Sequence, residues 1–280
     1  MTQRKFGNRA ALFDRPAVLF CPANRERAVA KARDSGADMV ILDLEDAVAE
    51  ADKPAAREAA VAAVADDWPM PVGIRANGSG HGAHAADVAA IGASAADFLV
   101  LPLVHEAASI TAVKAQCDLP VAAMVETARG VVAASAIAEV AAMLIVGTND
   151  LAADLRLPAG SGRGAMGYAL QRVLLAARAR GIAAYDGVCN VIEAPEQLRA
   201  EAAEAHALGF DGKTLIHPSH IAPVQAVFAP SEADIERARK VVALGKEPGG
   251  AINFEGEMVE AMHIASARRL LARAGLGESD

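Results

Sequence analysis

Pro120-Val121-Ala122-Ala123-Met124-Val125-Glu126-Thr127-Ala128-Arg129-Gly130 and Ala142-Met143-Leu144-Ile145-Val146-Gly147-Thr148-Asn149-Asp150-Leu151 decide how this chain reads. Each is an apolar run that ends in a carboxylate and a polar loop, with a helix-like stretch between the two. Short continuous apolar runs are how strands buried on both faces look in sequence. In a parallel α/β sheet or barrel such neighbours carry their loops to one rim, so Glu126 and Asp150 are expected together there. Two hard oxygen ligands, with water and substrate in the other positions, suit Mg²⁺.

Outward from this pair the same unit repeats at intervals of roughly 25 to 35 residues, the mark of successive βα units. Strands are expected over 17–21, 39–44, 72–75, 98–103, 121–125, 143–146, 183–186 and 214–216. Helices are expected over 24–34, 54–66, 84–92, 106–116, 130–139, 164–180, 195–208 and 219–228. Eight strand–helix pairs in 280 residues predict a (β/α)₈ TIM barrel, with an open doubly wound sheet as the alternative. The chain then continues through a helical stretch capped at Ser231, a Gly-Lys-Glu-Pro-Gly-Gly linker at 245–250 and an amphipathic helix around 257–274. The reading is therefore a barrel domain over 1–230 and a C-terminal helical extension over 231–280, free to cover its own barrel or reach a neighbouring subunit.

Composition limits what this barrel could bind. A formal net charge of −8, with only 4% aromatic residues, argues against nucleic acid and anionic membrane surfaces as partners. An anionic ligand would need a local cluster of cations. Cys21, Cys117 and Cys189 are too widely and irregularly spaced for a disulfide framework or a zinc site. The polar, basic residues 1–15 do not read as a signal peptide, and no apolar run is long enough to span a bilayer. A cytoplasmic location is expected.

Other strand ends also carry candidate chemistry. Val40-Ile41-Leu42-Asp43-Leu44-Glu45-Asp46 crowds three acids at one strand end, which requires something positive nearby. Asp46 or Glu45 could equally cap the next helix. Arg75 ends the third strand at the same rim, where its fork could bind a carboxylate or steady an enolate oxygen. Arg27 and Lys31 share a face of the first helix, a pattern common on solvated surfaces. His81 and His84 lie in a glycine-rich loop without the glutamate of a zinc motif. Lys213 precedes the apolar part of its strand, which argues against a buried imine lysine.

Taken in order, these motifs resemble a known family. They are Leu19-Phe20-Cys21-Pro22-Ala23-Asn24, Ile41-Leu42-Asp43-Leu44-Glu45-Asp46-Ala47-Val48, Lys53 with Ala56-Arg57, Val125-Glu126-Thr127-Ala128-Arg129-Gly130 and Gly147-Thr148-Asn149-Asp150-Leu151. Asp186-Gly187-Val188, Gly209-Phe210-Asp211-Gly212-Lys213, Ile216-His217-Pro218-Ser219 and Phe254-Glu255-Gly256-Glu257-Met258-Val259 follow. The set resembles the citrate lyase β-subunit-like (CitE-like) branch of the HpcH/HpaI aldolase superfamily. The resemblance implies a homotrimer or dimer of trimers that cleaves or forms 3-hydroxyacyl-CoA thioesters of the malyl-CoA or citramalyl-CoA type. The products would be a 2-keto acid and an acyl-CoA. It also implies roles: Glu126 and Asp150 as Mg²⁺ ligands, Arg75 and Glu126 against the substrate, and Thr214 and Leu215 lining its pocket. Phe20, Arg27 and Lys31 would lie along CoA. The resemblance gives the Glu260 position, reaching from a neighbouring subunit, the acid–base role, and Asp46 acting through water is the alternative base.

Two departures from the family pattern stand out. Glu260 replaces an aspartate that in the family reaches a neighbouring subunit's site, and Asn149 stands where many relatives carry an acid. The first keeps a malyl-CoA thioesterase in view as an alternative. A carrier-dependent citryl lyase β subunit and a CoA-independent class II pyruvate aldolase are the others.

Overall fold

A computed structural model of the chain describes residue 6 and residues 9–244 and 252–276. The 245–250 linker lies outside the described residues. The chain divides into two compact units, with the boundary between Val227 and Phe228.

The first unit is a closed, all-parallel barrel in sequential order. Its strands are β1 (Ala17–Pro22), β2 (Met39–Asp43), β3 (Val72–Arg75), β4 (Phe98–Leu101), β5 (Val121–Val125), β6 (Met143–Val146), β7 (Ala183–Asp186) and β8 (Gly212–Leu215). β8 closes on β1. The connecting helices are α1 (Glu26–Arg33), α2 (Lys53–Ala63), α3 (His84–Ala93), α4 (Ala107–Lys114), α5 (Ala128–Val140), α6 (Thr148–Asp154), α7 (Gly167–Ala179), α8 (Pro195–Leu208) and α9 (Ile221–Phe228). The barrel was the expected fold, and it replaces the open-sheet alternative.

Alternation along each strand fills the barrel and then aims its rim. Val18, Met39, Ile41, Phe98, Val100, Ala122, Met124, Ile145 and Tyr185 pack into one interior cluster. Gly73 has no side chain because the Phe98 ring occupies that space; a Cβ there would lie 2.3 Å from the ring. Counting on by two from Ile41 gives Asp43, from Gly73 gives Arg75, and from Met124 gives Glu126. The same parity that packs the core therefore turns these polar residues inward at the carboxyl ends of the strands.

Several boundaries shift by a residue or more from the expectation, and three of the differences have a plain local reason. β4 stops at Leu101 rather than 103, because Pro102 has no N–H to donate and Leu103 takes a left-handed φ of 51°. α6 falls where the sequence reads as loop, because its N-cap Gly147 and first residues Thr148-Asn149-Asp150 look like a turn. β8 begins at Gly212, so Lys213 lies within the strand and is fully buried.

The second unit packs α10 (Glu232–Leu244) and α11 (Ala261–Arg273) around Ala238, Val241, Val259, Ala267 and Leu271. Ser231 caps α10 as expected, its Oγ accepting from the Asp234 N–H at 3.1 Å. The expected helix from 257 begins at Ala261 instead, because β9 (Ile252–Phe254) and β10 (Glu257–Val259) form a short hairpin. Its two-residue turn, Glu255 and Gly256, takes positive φ at both positions, which matches the twist of paired strands. Among the described residues, no helix is long and apolar enough to cross a membrane, and all three cysteines are free and buried.

Candidate active site at the carboxyl ends of the strands

A cleft of about 310 Å³ opens at the rim of the barrel. Phe20, Asp46, Arg75, Glu126, Asp150 and Thr214, six of the residues singled out in the sequence, line it together. Four of its described lining residues are acids and one, Arg75, is a cation.

Arg75 is the positive charge that the crowded acids of the second strand require. It pairs in register with Asp43 across β2 and β3, and its fork is bidentate there: Nε to Oδ1 and Nη2 to Oδ2, both 2.7 Å. Nη1 reaches Glu45 at 2.7 Å and Asp46 at 3.4 Å. The guanidinium carbon lies 4.8 Å from the centroid of Phe20, so the ring that the resemblance assigned to CoA is also a cation–π platform. Burial opposes the Arg75 charge, but the Asp43 hydrogen bonds and the neighbouring acids outweigh it and raise the pKa above its usual value. Asp43 also accepts from the N–H groups of Glu45 and Ala47, which folds the loop after β2 around it.

A buried brace supports this corner. Lys53 Nζ donates to the carbonyls of Leu44 and Glu45, both at 3.1 Å, and to Asn77 Oδ1 at 2.7 Å. Asn77 donates in turn to Asp87, which pairs with Arg57 at 2.9 Å. Lys53 and Arg57 were visible as motif residues; Asp87, fully buried on α3, was not singled out. His81 and His84 engage Glu50 and the Asn77 carbonyl respectively.

Glu126 is 1% exposed and is set by two backbone features that a sequence does not display. The N–H of Leu103, at its left-handed φ, donates to Oε1 at 2.6 Å. On the other side Gly147 leaves the carboxylate its space, since a Cβ there would lie 2.1 Å from Oε2. Burial raises the Glu126 pKa to about 7 against the Leu103 hydrogen bond, and the nearby charges of Asp150 and Asp46 push the same way. The Asp150 pKa is raised as well, by partial burial and then by Asp46. Glu45 rises to about 8 because burial outweighs its pairing with Arg75.

Among the described residues neither Glu126 nor Asp150 forms an ion pair, because Arg75 is committed to the β2 acids. Two hard carboxylates that resist ionisation side by side are a donor set that a divalent cation would relieve. No group of three or more His, Cys, Asp or Glu among the described residues could cage a metal. The two carboxylates beside the open cleft fit an oxygen-ligated ion that takes water and substrate at its other positions, as Mg²⁺ does.

Other expected site residues fall elsewhere. Leu215 is fully buried, and Ile216 lines the cleft beside Thr214. Arg27 and Lys31 are exposed on α1 and do not line the cleft. Glu260 belongs to the second unit, where it precedes α11 and its N–H donates to His263 Nδ1 at 2.9 Å. Lys213 is held at 2.7 Å from Asp186 and 3.2 Å from Glu201, within a buried network that Arg163 joins through Asp186. It is a structural cation.

Most of the chain is similar to known proteins. The protein CitE from Mycobacterium tuberculosis, solved in complex with magnesium, acetoacetate and coenzyme A, superposes with a TM-score of 0.83 at 38% identity, covering 96% of this chain and 100% of that one. A (3S)-malyl-CoA thioesterase of Cereibacter sphaeroides is 41% identical over 266 residues, 92% of this chain and 93% of the relative. A citrate lyase subunit beta-like protein of M. tuberculosis is 39% identical over 272 residues, covering 95% and 97%. Residues 16–218, the barrel with its cleft, match the model for HpcH/HpaI aldolase/citrate lyase, and the chain belongs to that family.

Proposed function

We propose that this protein is a Mg²⁺-dependent CoA-ester lyase that cleaves or forms 3-hydroxyacyl-CoA thioesters of the malyl-CoA or citramalyl-CoA type. The observation that carries the proposal is the paired carboxylates of Glu126 and Asp150, lining one cleft with the Arg75 guanidinium. The relative solved with magnesium and coenzyme A supports the same reading.

Glu126 and Asp150 would hold the metal, which when bound supplies Lewis acidity to the oxygen of the 2-oxo-acid half. Asp46, at the mouth of the cleft, would accept the 3-hydroxyl proton, with Glu260 of a neighbouring copy as a second acid–base group. The C2–C3 bond then breaks to give the oxo acid, and its electron pair passes into the thioester as an enolate. Arg75 would stabilise that enolate oxygen, since the fork held by Asp43 needs no reorganisation. A proton returned to the enolate carbon completes the acyl-CoA. Thr214 would line the substrate pocket with Leu215 behind it, and Phe20, Arg27 and Lys31 would follow the CoA chain. A homotrimer or dimer of trimers would bring Glu260 to a neighbour's cleft.

A second reading, hydrolysis of the thioester to free thiol and a hydroxy acid, is favoured by the thioesterase relative and by Glu260 in place of aspartate. Both readings require the metal pair. Glu126→Ala or Asp150→Ala should abolish Mg²⁺-dependent turnover of malyl-CoA in a protein that still melts cooperatively. Full activity in either variant would sink the assignment.

A further inference from the structure

A second cavity of about 430 Å³ lies beside the cleft. Thr148, Asn149 and Val188 line both spaces and so form the wall between them. Part of that wall is rigid: Thr148 is buried, and its hydroxyl fills the room left by Gly187, where a Cβ would lie 2.4 Å away. The other part is a reciprocal amide pair. Asn149 Nδ2 donates to Asn190 Oδ1 at 3.1 Å, and Asn190 Nδ2 donates back to Asn149 Oδ1 at 2.7 Å. Both side chains are exposed, so parting them returns their amides to water and strands no buried polar group. The wall is therefore closed but not sealed.

Its position and chemistry indicate what it would admit. Asn149 immediately precedes Asp150 on α6, so the pair stands on the metal side of the cleft. The charged residues lining the second cavity are already matched, Arg163 by Asp186 and Glu204 and Glu201 by Lys213. The rest of the lining is amide, hydroxyl, backbone and aliphatic surface, which suits an uncharged chain better than a further carboxylate.

We propose that the Asn149–Asn190 pair is a specificity latch that holds the 2-oxo-acid half of the substrate to a small substituent, and that the second cavity receives a longer uncharged chain when the pair is parted. This rests on the lyase reading above, which places the oxo acid at Glu126 and Asp150.

The test uses Asn190→Ala, since Asn190 lines only the second cavity. The full-length variant and the wild type are assayed for Mg²⁺-dependent condensation of acetyl-CoA with glyoxylate, pyruvate, 2-oxobutanoate and 2-oxopentanoate. The variant should keep its kcat/KM for the short acids and raise the ratio of long to short about 10-fold, mainly through KM, as one or two methylenes gaining space allow. Asn190→Asp, which keeps an acceptor for the Asn149 amide, should retain the wild-type ranking. An unchanged ratio in Asn190→Ala, or a uniform loss across all four acids with a lower Tm, overturns the latch while the lyase reading stands. A wild type that condenses none of the acids fails the lyase reading, and the latch falls with it.

Discussion

Gly147→Ala should disable the cleft without unfolding the barrel. Gly147 has φ −91° and ψ 88°, a conformation open to alanine, so the backbone does not object. The added methyl, however, would lie 2.1 Å from Glu126 Oε2 and 2.5 Å from its Cβ. Ordinary contact requires the carboxylate to retreat by about 1 Å, a misplacement that can lower turnover about 10²-fold, or about 2.7 kcal/mol of transition-state stabilisation. Retreat is also resisted from the far side, where the Leu103 N–H holds Oε1 at 2.6 Å. Overpacking of this kind destabilises the fold by about 1–3 kcal/mol. The assay is kcat/KM for malyl-CoA across a Mg²⁺ titration, with Tm measured in parallel. We expect a loss of about 10²-fold, a raised Mg²⁺ requirement and a Tm only a few degrees lower. Activity within about threefold of wild type at the same Mg²⁺ concentration would refute the claim that Glu126 needs its present position.

Other outcomes follow from the same geometry. Arg75→Lys keeps the charge but removes the fork, leaving the buried Asp43 carboxylate short of its partner. Stability should fall by about 1.5–3 kcal/mol by thermal melt, the cost of one lost charged hydrogen bond, and turnover should be lost with it. For pH, the folded-state pKa of Glu126 is raised to about 7, so between its unfolded value and pH 7 the folded chain binds more protons than the unfolded chain. Metal-free stability should therefore drop as pH rises through that window, by about 3 kcal/mol from Glu126, with Glu45 extending the fall to about pH 8. Mg²⁺ should shrink that fall, and Glu126→Gln should flatten the Glu126 part of it; Tm against pH with Mg²⁺ or EDTA reads both. Mixing inactive Glu126→Ala with inactive Glu260→Ala should restore some activity if Glu260 serves a neighbour's cleft, and none if it serves its own.

Much of this was legible in the sequence, and the reason is geometric. A barrel strand buried on both faces is an apolar run whose end is its last inward position, so Val121–Val125 and Met143–Val146 locate Glu126 and the turn into Asp150 without tertiary information. The acids after β2 likewise announced that a cation had to be near, and Arg75 supplies it. What could not be read is carried by backbone or by absence. The Leu103 N–H is a main-chain donor whose aim depends on a left-handed residue after a proline. The space at Gly147 is an empty volume, and a lone glycine in a loop looks like any other turn residue. The burial of Lys213 is hidden because a strand opening on Gly-Lys lacks the apolar pattern; it becomes tolerable only through Asp186 and Glu201, which the fold brings to it. Asn149 and Asn190 meet only because β6 and β7 are neighbours in the barrel.

The central claim is Mg²⁺-dependent carbon–carbon cleavage of a CoA ester, and its most direct test assays oxo acid and free thiol in parallel. Purified protein with Mg²⁺ would be offered malyl-CoA, citramalyl-CoA and β-methylmalyl-CoA. The account predicts oxo acid without matching thiol from at least one ester, abolished by EDTA and restored by Mg²⁺. Thiol without oxo acid from every ester would contradict it and make the protein a thioesterase built on the same metal pair.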